Sequence, residues 1–478
     1  MADGTQSIVT SSSQSVRPPY LLFTILCVGT ALGGLTQTAL NTMASTVLSD
    51  LNTDIGWGQW LTTIYIFAME AAVPLASFVQ RRFSVRALML SSFSLYVIGA
   101  FCDFLSVNFP MLIIGRVLEA LSTGTLMPLL QTIAMTRFPE NRHGTAMGFA
   151  GIALGFAPNI GPTIGGAIAI GVGWRMLFLI LALTSCAFVI LTLAFVRDRV
   201  PADPGARLDG YSLGLSTVGS GGLLLGFTAA ANVSFANPLV WASIALGLVV
   251  VFVFMRRQKR LTEGEGSCGT TQKHPLVNAG IFAFREFRAS FVAQCLLYGC
   301  FMGMTLIIPL FVVEGGGHSE LDAGLVLLPG AIAALIFEPG AGAASDRFGS
   351  RRVALFGGAF LSAGALSIAF VPSDAPLWIP AVCQAVRCVG LTTLIPTTTA
   401  YGLGVLGQRG LTTDGSAFLI MSRQIAAALA TAVMVFLLKM LANGGNAILG
   451  YHAALGFSGL LALGCLAVCM AGIREKRR

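Results

Sequence analysis

Seven charged side chains lie inside long apolar stretches of this sequence: Glu70, Asp103, Glu119, Glu338, Arg116, Arg387 and Arg423. A charge at mid-membrane costs about 2.5–3.5 kcal/mol even on the lenient insertion scale, so such groups are kept for a task. Arg116 and Glu119 are three residues apart, close enough to share a helix face and pair. A carboxyl poised between burial, which favours its neutral form, and a guanidinium, which favours its ion, is suited to taking up and losing a proton. The competing reading is a static ion pair that only locks the helix. Glu70 lies near the middle of its stretch, ahead of Ala71-Ala72-Val73-Pro74, and is a second proton carrier or a ligand for a cation. Glu338, beside Pro339-Gly340, marks a kink and reads equally as gate, ligand or structural acid. Asp103 is near the end of its stretch and reads as interfacial. Arg387 and Arg423 need counter-acids, and in their half of the chain only Glu338 lies deep enough.

The elements that must hold these groups follow from composition. The 478 residues are 55% hydrophobic and only 10% charged, with a mean hydropathy of +0.80. Soluble domains carry roughly 25% charged residues. Hydrocarbon offers backbone N–H and C=O groups no partners, so helices or closed barrels must cross it. Continuous runs of about twenty apolar residues select helices. They fall at 21–48, 57–79, 87–106, 110–136, 143–170 and 174–196, then 210–231 and 236–255. The last six are 289–313, 321–344, 353–372, 376–404, 412–438 and 449–473. The expected architecture is all-α with 14 transmembrane helices. A tail (1–20) precedes a six-helix half (21–200). Two inserted helices (201–257), a cytoplasmic loop (258–287) and a second six-helix half with a basic tail (288–478) follow.

Charge placement orients the bundle. With both termini inside, the inner loops and tails carry 24 of the 29 Lys and Arg, and the outer loops only Arg175 and Lys439. That asymmetry is the positive-inside pattern. It explains the net charge of +8 without nucleic acid. Residues 1–18, polar and Ser-rich, read as a disordered tail rather than a signal peptide. Nine of the ten cysteines lie in apolar runs, and none are spaced for a metal. No phosphate-binding loop and no catalytic constellation is present, so neither ATP hydrolysis nor another enzyme activity is expected, and no cofactor.

The halves read as a diverged repeat: Gln80-Arg81-Arg82-Phe83-Ser84-Val85-Arg86 after the second span answers Ser345-Asp346-Arg347-Phe348-Gly349-Ser350-Arg351-Arg352 after the tenth. The second turn matches the loop signature of the major facilitator superfamily. Gly155-Phe156-Ala157-Pro158-Asn159-Ile160-Gly161-Pro162-Thr163-Ile164-Gly165-Gly166, followed by Trp174-Arg175, matches the signature of its antiporters. Gly115-Arg116-Val117-Leu118-Glu119-Ala120 matches its fourth span. With the extra pair of spans, the chain resembles the fourteen-span drug:proton antiporters over nearly its whole length. The resemblance implies a conformational gate at Asp346, Arg347, Gly349, Arg351 and Arg352. It also implies a pliable fifth helix, in which Gly151, Gly155, Gly161, Gly165 and Gly166 allow close approach while Pro158 and Pro162 remove hydrogen bonds.

Two departures stand out. Arg81 occupies the place of the family's Asp in the first turn, with Ser77 and Ser84 for two glycines. In the first span Thr36 stands where this branch usually has the Asp that carries the proton, while Glu119 stands where it commonly has Gln. An acid at 119 can replace the one missing at 36. The resemblance implies proton-coupled efflux of a small amphipathic molecule at the cell membrane, by a monomer in contact with lipid. Its cavity would be lined by Gln37, Asn41, Glu70, Glu338, Arg387 and Arg423. Export of a defined anionic or zwitterionic metabolite, such as a bile acid, lipid or peptide, is the first alternative. A non-transporting sensor is the second, and the short loops weigh against it.

Overall fold

The computed structural model describes residues 20–40, 42–53, 57–198, 208–232, 237–264, 275–407, 409–443 and 447–474. Among them thirteen helices are long and apolar enough to cross a membrane. The first half contains α1 (Tyr20–Ala39), α2 (Gly58–Arg82), α3 (Val85–Phe104), α4 (Phe109–Thr136), α5 and α6 (Trp174–Phe195). The inserted pair is α7 (Gly210–Asn232) and α8 (Pro238–Gly264). The second half contains α9 (Arg285–Leu310), α10 (Glu320–Phe348), α11 (Ser350–Ala369), α12 (Trp378–Gly407), α13 (Thr412–Asn443) and α14 (Ala447–Gly472). The fourteenth rod, α5, is interrupted: His143–Gly151 passes through a π turn at Ile152–Phe156 into Ala157–Val172.

The interruption has a local cause. Pro158 and Pro162 lack the N–H that would close bonds to the carbonyls of residues 154 and 158. The Pro158 carbonyl instead accepts the Thr38 hydroxyl of α1 at 2.6 Å, and Thr42 donates to the Pro162 carbonyl at 3.0 Å. These bonds hold α1 against α5, where a Cβ on Gly165 would lie 2.6 Å from the Ala39 carbonyl oxygen. The first span is correspondingly shorter than 21–48: α1 ends at Ala39, and a separate short helix, Ala44–Asp50, follows.

The repeated turns differ in backbone. Between α10 and α11 the chain passes through Gly349 at φ +89°, a conformation that favours glycine. Between α2 and α3 the equivalent Ser84 keeps φ −69° and accepts the Ala87 N–H as an N-cap. Ser84 therefore replaces the glycine by capping rather than by flexibility.

The halves meet along two lines. One joins α2 and α4 to α13, and the other joins the first part of α5 to α10 and α12. Tyr65, Met69, Val73, Leu154, Ala417 and Ile420 form an apolar cluster across the first. The inserted helices pack on each other, and α7 lies against both α2 and α13. That pair is thus an outer cover on the α2–α13 seam and leaves the twelve-helix core intact.

Candidate functional site

The in-span charges fall into three groups. In the first half, Arg116 donates to the Glu119 carboxylate at 2.8 Å and to the Thr36 carbonyl at 3.1 Å. Its guanidinium lies 4.2 Å over the Tyr65 ring, a cation–π contact. Tyr65 is itself fixed, donating to the Gly33 carbonyl at 2.9 Å and bonded to the Thr123 hydroxyl at 2.8 Å. The Thr36 hydroxyl is hydrogen-bonded to Tyr96. Arg116 and Glu119 are both fully buried, yet Glu119 Oε1 has no hydrogen-bond partner. Thr36 therefore supplies a backbone carbonyl, and the carboxylate comes from α4.

Asp103 corrects the interfacial expectation. It is fully buried, both its oxygens lack partners, and it packs against Gly115 of the helix that carries Arg116 and Glu119. Gly99 and Gly115 let α3 and α4 approach to backbone contact: a Cβ on Gly99 would lie 2.8 Å from the Gly115 carbonyl oxygen. Two small residues facing across adjacent spans were the signal that α3 and α4 close around this acid.

The second group lies where the halves meet. Glu70 on α2 is buried with both oxygens unpartnered. Arg423 is stacked 4.7 Å over Tyr298 of α9. Its Nη1 is buried without a partner, so among the described residues it forms no ion pair with either Glu70 or Glu338. Arg387 is separate: it sits inside the second half, donating to Gln384 at 2.8 Å and to the Cys388 sulfur at 3.8 Å. Gln37 is buried on α1, and Asn41 lies outside the described residues.

The third group is Glu338. Its fully buried carboxyl rests against Gly151 and Gly155 of α5, and a Cβ on Gly151 would lie 3.1 Å from its Cδ. The fifth-helix glycines thus serve two neighbours. Gly144, Gly148, Gly151 and Gly155 receive α10, whereas Gly161 and Gly165 receive α1; Gly166 has only Thr42 near it.

Two clasps join the halves at the Arg-rich end. Asp346 caps the N-terminus of α5, accepting from the Gly144 N–H at 2.8 Å and from the Thr145 N–H and hydroxyl at 2.7 Å each. Positive N-terminal amides make this a favourable carboxylate site. Arg347, Arg351 and Arg352 project from the same turn and are exposed, with Arg347 over Phe348 at 5.3 Å. In the first copy, Arg81 reaches Asp414 in the first turn of α13 at 3.4 Å and the Pro275 and Leu276 carbonyls at 3.0 Å each. Asp414, an acid in a first helical turn, was the signal available in the sequence for a partner to Arg81. Elsewhere Trp174 and Arg175 both bond Asp50, at 3.0 and 2.9 Å, and tie the short helix to α6.

Paired six-helix halves with buried charges along their contact are the build of a secondary transporter, an integral membrane protein rather than an enzyme. The chain belongs to the major facilitator superfamily, whose family model, described as Major Facilitator Superfamily, matches residues 26–431. It is 30% identical over 432 residues to an uncharacterized MFS-type transporter, YcnB, of Bacillus subtilis (strain 168), covering 90% of this chain and 89% of that one. It is 27% identical over 432 residues to the lincomycin resistance protein LmrB of Listeria monocytogenes serovar 1/2a (strain ATCC BAA-679 / EGD-e), covering 90% and 88%. The crystal structure of the human organic anion transporter MFSD10 (TETRAN) shares the fold, with TM-score 0.65 at 14% identity over 95% of this chain and 100% of that one.

Proposed function

We propose that this transporter is a fourteen-span drug:proton antiporter that exports amphipathic or lipophilic compounds by alternating access, as a monomer. In this reading the Arg-rich end and both termini face the cytoplasm. The observation that carries it is the buried Arg116–Glu119 pair beside Thr36. An ionised Glu119 holds Arg116 through a charge-assisted bond; a protonated one releases it to the Thr36 carbonyl and the Tyr65 face, both already in reach. Uptake of one proton thus frees Arg116 from its own helix and leaves it held by α1 and α2 alone. The name of the Listeria relative supports a drug as the substrate.

A second reading, export of a defined anionic or zwitterionic metabolite, draws support from Arg387 and Arg423, each with a buried Nη1 lacking a partner. Proteoliposomes with an imposed pH gradient and a panel of cationic, neutral and anionic amphiphiles separate the two. Gradient-driven accumulation of cations and neutrals supports drug antiport. Accumulation of anions alone supports the metabolite exporter, and no response to the gradient defeats proton coupling.

A further inference from the structure

The first and fifth helices run side by side from the Arg-rich end, but they touch only over their far parts. There Thr38 and Thr42 bond the carbonyls of Pro158 and Pro162, and a Cβ on Gly34 would lie 3.1 Å from the Ala153 carbonyl oxygen. Toward the Arg-rich end the two helices part and enclose a cleft of about 470 Å³. On α1 its wall runs from Tyr20 through Phe23 and Cys27 to Ala31. Opposite, it runs from Arg142, in the turn that leads into α5, through Phe149 to Ala153. Eleven residue steps separate Tyr20 from Ala31. At about 1.5 Å each the cleft is about 16 Å deep, half of the ~30 Å hydrocarbon core and so the depth of one leaflet.

No second-half residue lines this cleft, so it stands apart from the seam between the halves. Val28 and Phe149 are about half exposed along its rim, which opens it sideways. Its walls are apolar except at the mouth: Thr145 also lines it, but that hydroxyl is given to Asp346. The one charged lining residue is Arg142, which is exposed. Its Nη1 donates to the Tyr20 hydroxyl at 3.0 Å, and among the described residues it forms no ion pair. Tyr20 and Phe23 both meet Phe138 edge-on, at 5.8 and 5.0 Å, so the pair at the mouth stands on an aromatic floor. A tyrosine at a helix start suits headgroup depth, and the remaining guanidinium N–H groups suit two oxygens of a phosphate.

We propose that this cleft binds one anionic phospholipid from the leaflet at the Arg-rich end. Its phosphate rests on Arg142 and the Tyr20 hydroxyl, and one acyl chain lies between α1 and α5. The chain fills the contact that the two helices leave open, and its end reaches Ile152 and Ala153, where α5 enters its π turn. A cationic amphiphile fits the same apolar walls but meets Arg142 at the mouth with like charge. The site goes beyond the drug-antiport reading and does not depend on it; it requires only that the chain spans a membrane.

The test uses the full-length protein in phosphatidylcholine nanodiscs doped with phosphatidylglycerol that carries a diazirine at the end of one acyl chain. After irradiation the labelled peptides are mapped by mass spectrometry. Wild type should be labelled around Ala31 and Ile152–Ala153. A phosphatidylcholine probe at the same molar fraction should label those peptides at least about fivefold less, the factor that one basic residue near an anionic surface provides. Arg142→Gln should erase the difference between the two probes, and Arg142→Lys should keep most of it. Thr24→Trp, at an exposed position on the cleft wall, should suppress labelling by either probe while the melting temperature stays at the wild-type value. Equal labelling of wild type by both probes would mean annular lipid only and overturns the proposal without any variant having to fold. A preference for phosphatidylglycerol that survives Arg142→Gln also overturns it. So does displacement of the label by tetraphenylphosphonium as effective as that by unlabelled phosphatidylglycerol, which would make the cleft a substrate site.

Discussion

Arg81 and Asp414, 333 positions apart in sequence, form an ion pair of 3.4 Å across the halves where the repeat-related turn uses Asp346 to cap a helix. The clasp of the first half is therefore kept with its charges exchanged: the acid sits on the receiving helix and the base on the turn. Arg81 is about one-third exposed (31%) and Asp414 nearly buried (4%), so screening discounts the pair to about 0.2–1 kcal/mol. Arg81→Ala should lower transport by no more than about fivefold at equal membrane abundance, on that estimate. Arg81→Asp should cost more, because it sets two carboxylates face to face. The swap Arg81→Asp with Asp414→Arg should recover most of the loss. A double variant no better than Arg81→Asp would mean that the Pro275 and Leu276 carbonyls, not Asp414, are what Arg81 serves.

Asp346→Asn should do more damage than Arg81→Ala. It removes the charge from three hydrogen bonds onto one helix start, and bonds to a charged group contribute about 1.5–3 kcal/mol each. Losing even one such increment is about a tenfold effect. Transport rates at matched abundance decide the order, and equal losses would place the two clasps on the same footing.

Much of this was legible because local rules sufficed. Apolar runs located the rods, three-residue spacing paired Arg116 with Glu119, and the Pro158–Pro162 pair announced an irregular α5. What escaped depends on contacts between distant segments. Asp103 looked interfacial because its position was judged from the end of its span, whereas the close approach at Gly99 and Gly115 buries it. Arg423 was matched to Glu338 by membership of one half, but its guanidinium stacks on Tyr298 of α9. The first span was drawn through to residue 48 because hydropathy cannot see that Thr38 and Thr42 spend their hydroxyls on α5 carbonyls.

Gly342→Ala should block closure without unfolding either half. Its Cβ would meet the Gly144 backbone, with Gly144 C at 2.8 Å and Gly148 Cα at 3.0 Å, and backbone on both sides cannot step aside. Gly340→Ala is the control, since nothing lies within 4 Å of its Cβ. Transport should fall by about fivefold to about a hundredfold in the first variant, an overpacking cost of ~1–3 kcal/mol placed on one conformation. It should be nearly unchanged in the second. Equal behaviour would show that the α5–α10 contact does not limit the cycle.

Reporter fusions at residues 1 and 478 should both read cytoplasmic, given 24 of 29 basic residues on that side. An external reading at either end would overturn the orientation and, with it, the direction in which the Arg-rich clasps open.

The coupling prediction turns on Glu119. Gln keeps its size and hydrogen-bonding capacity but cannot ionise. Glu119→Gln should therefore still bind substrate and exchange it, yet fail to concentrate it against a gradient. Arg116→Ala should be worse, for it removes the cation that Glu119, the Thr36 carbonyl and the Tyr65 face all share. It leaves Glu119 and the neighbouring Asp103 as buried acids with no counter-ion, which favours their protonated forms. Thr36→Asp in the Glu119→Gln background should restore part of the accumulation, since an acid at 36 would start from the residue whose carbonyl Arg116 already holds. Glu70→Gln is the control on the other charged group. Gradient-driven accumulation retained in Glu119→Gln but lost in Glu70→Gln would move the proton to α2. Retention in both would leave Asp103 or Glu338, or a coupling ion other than the proton, to carry the gradient.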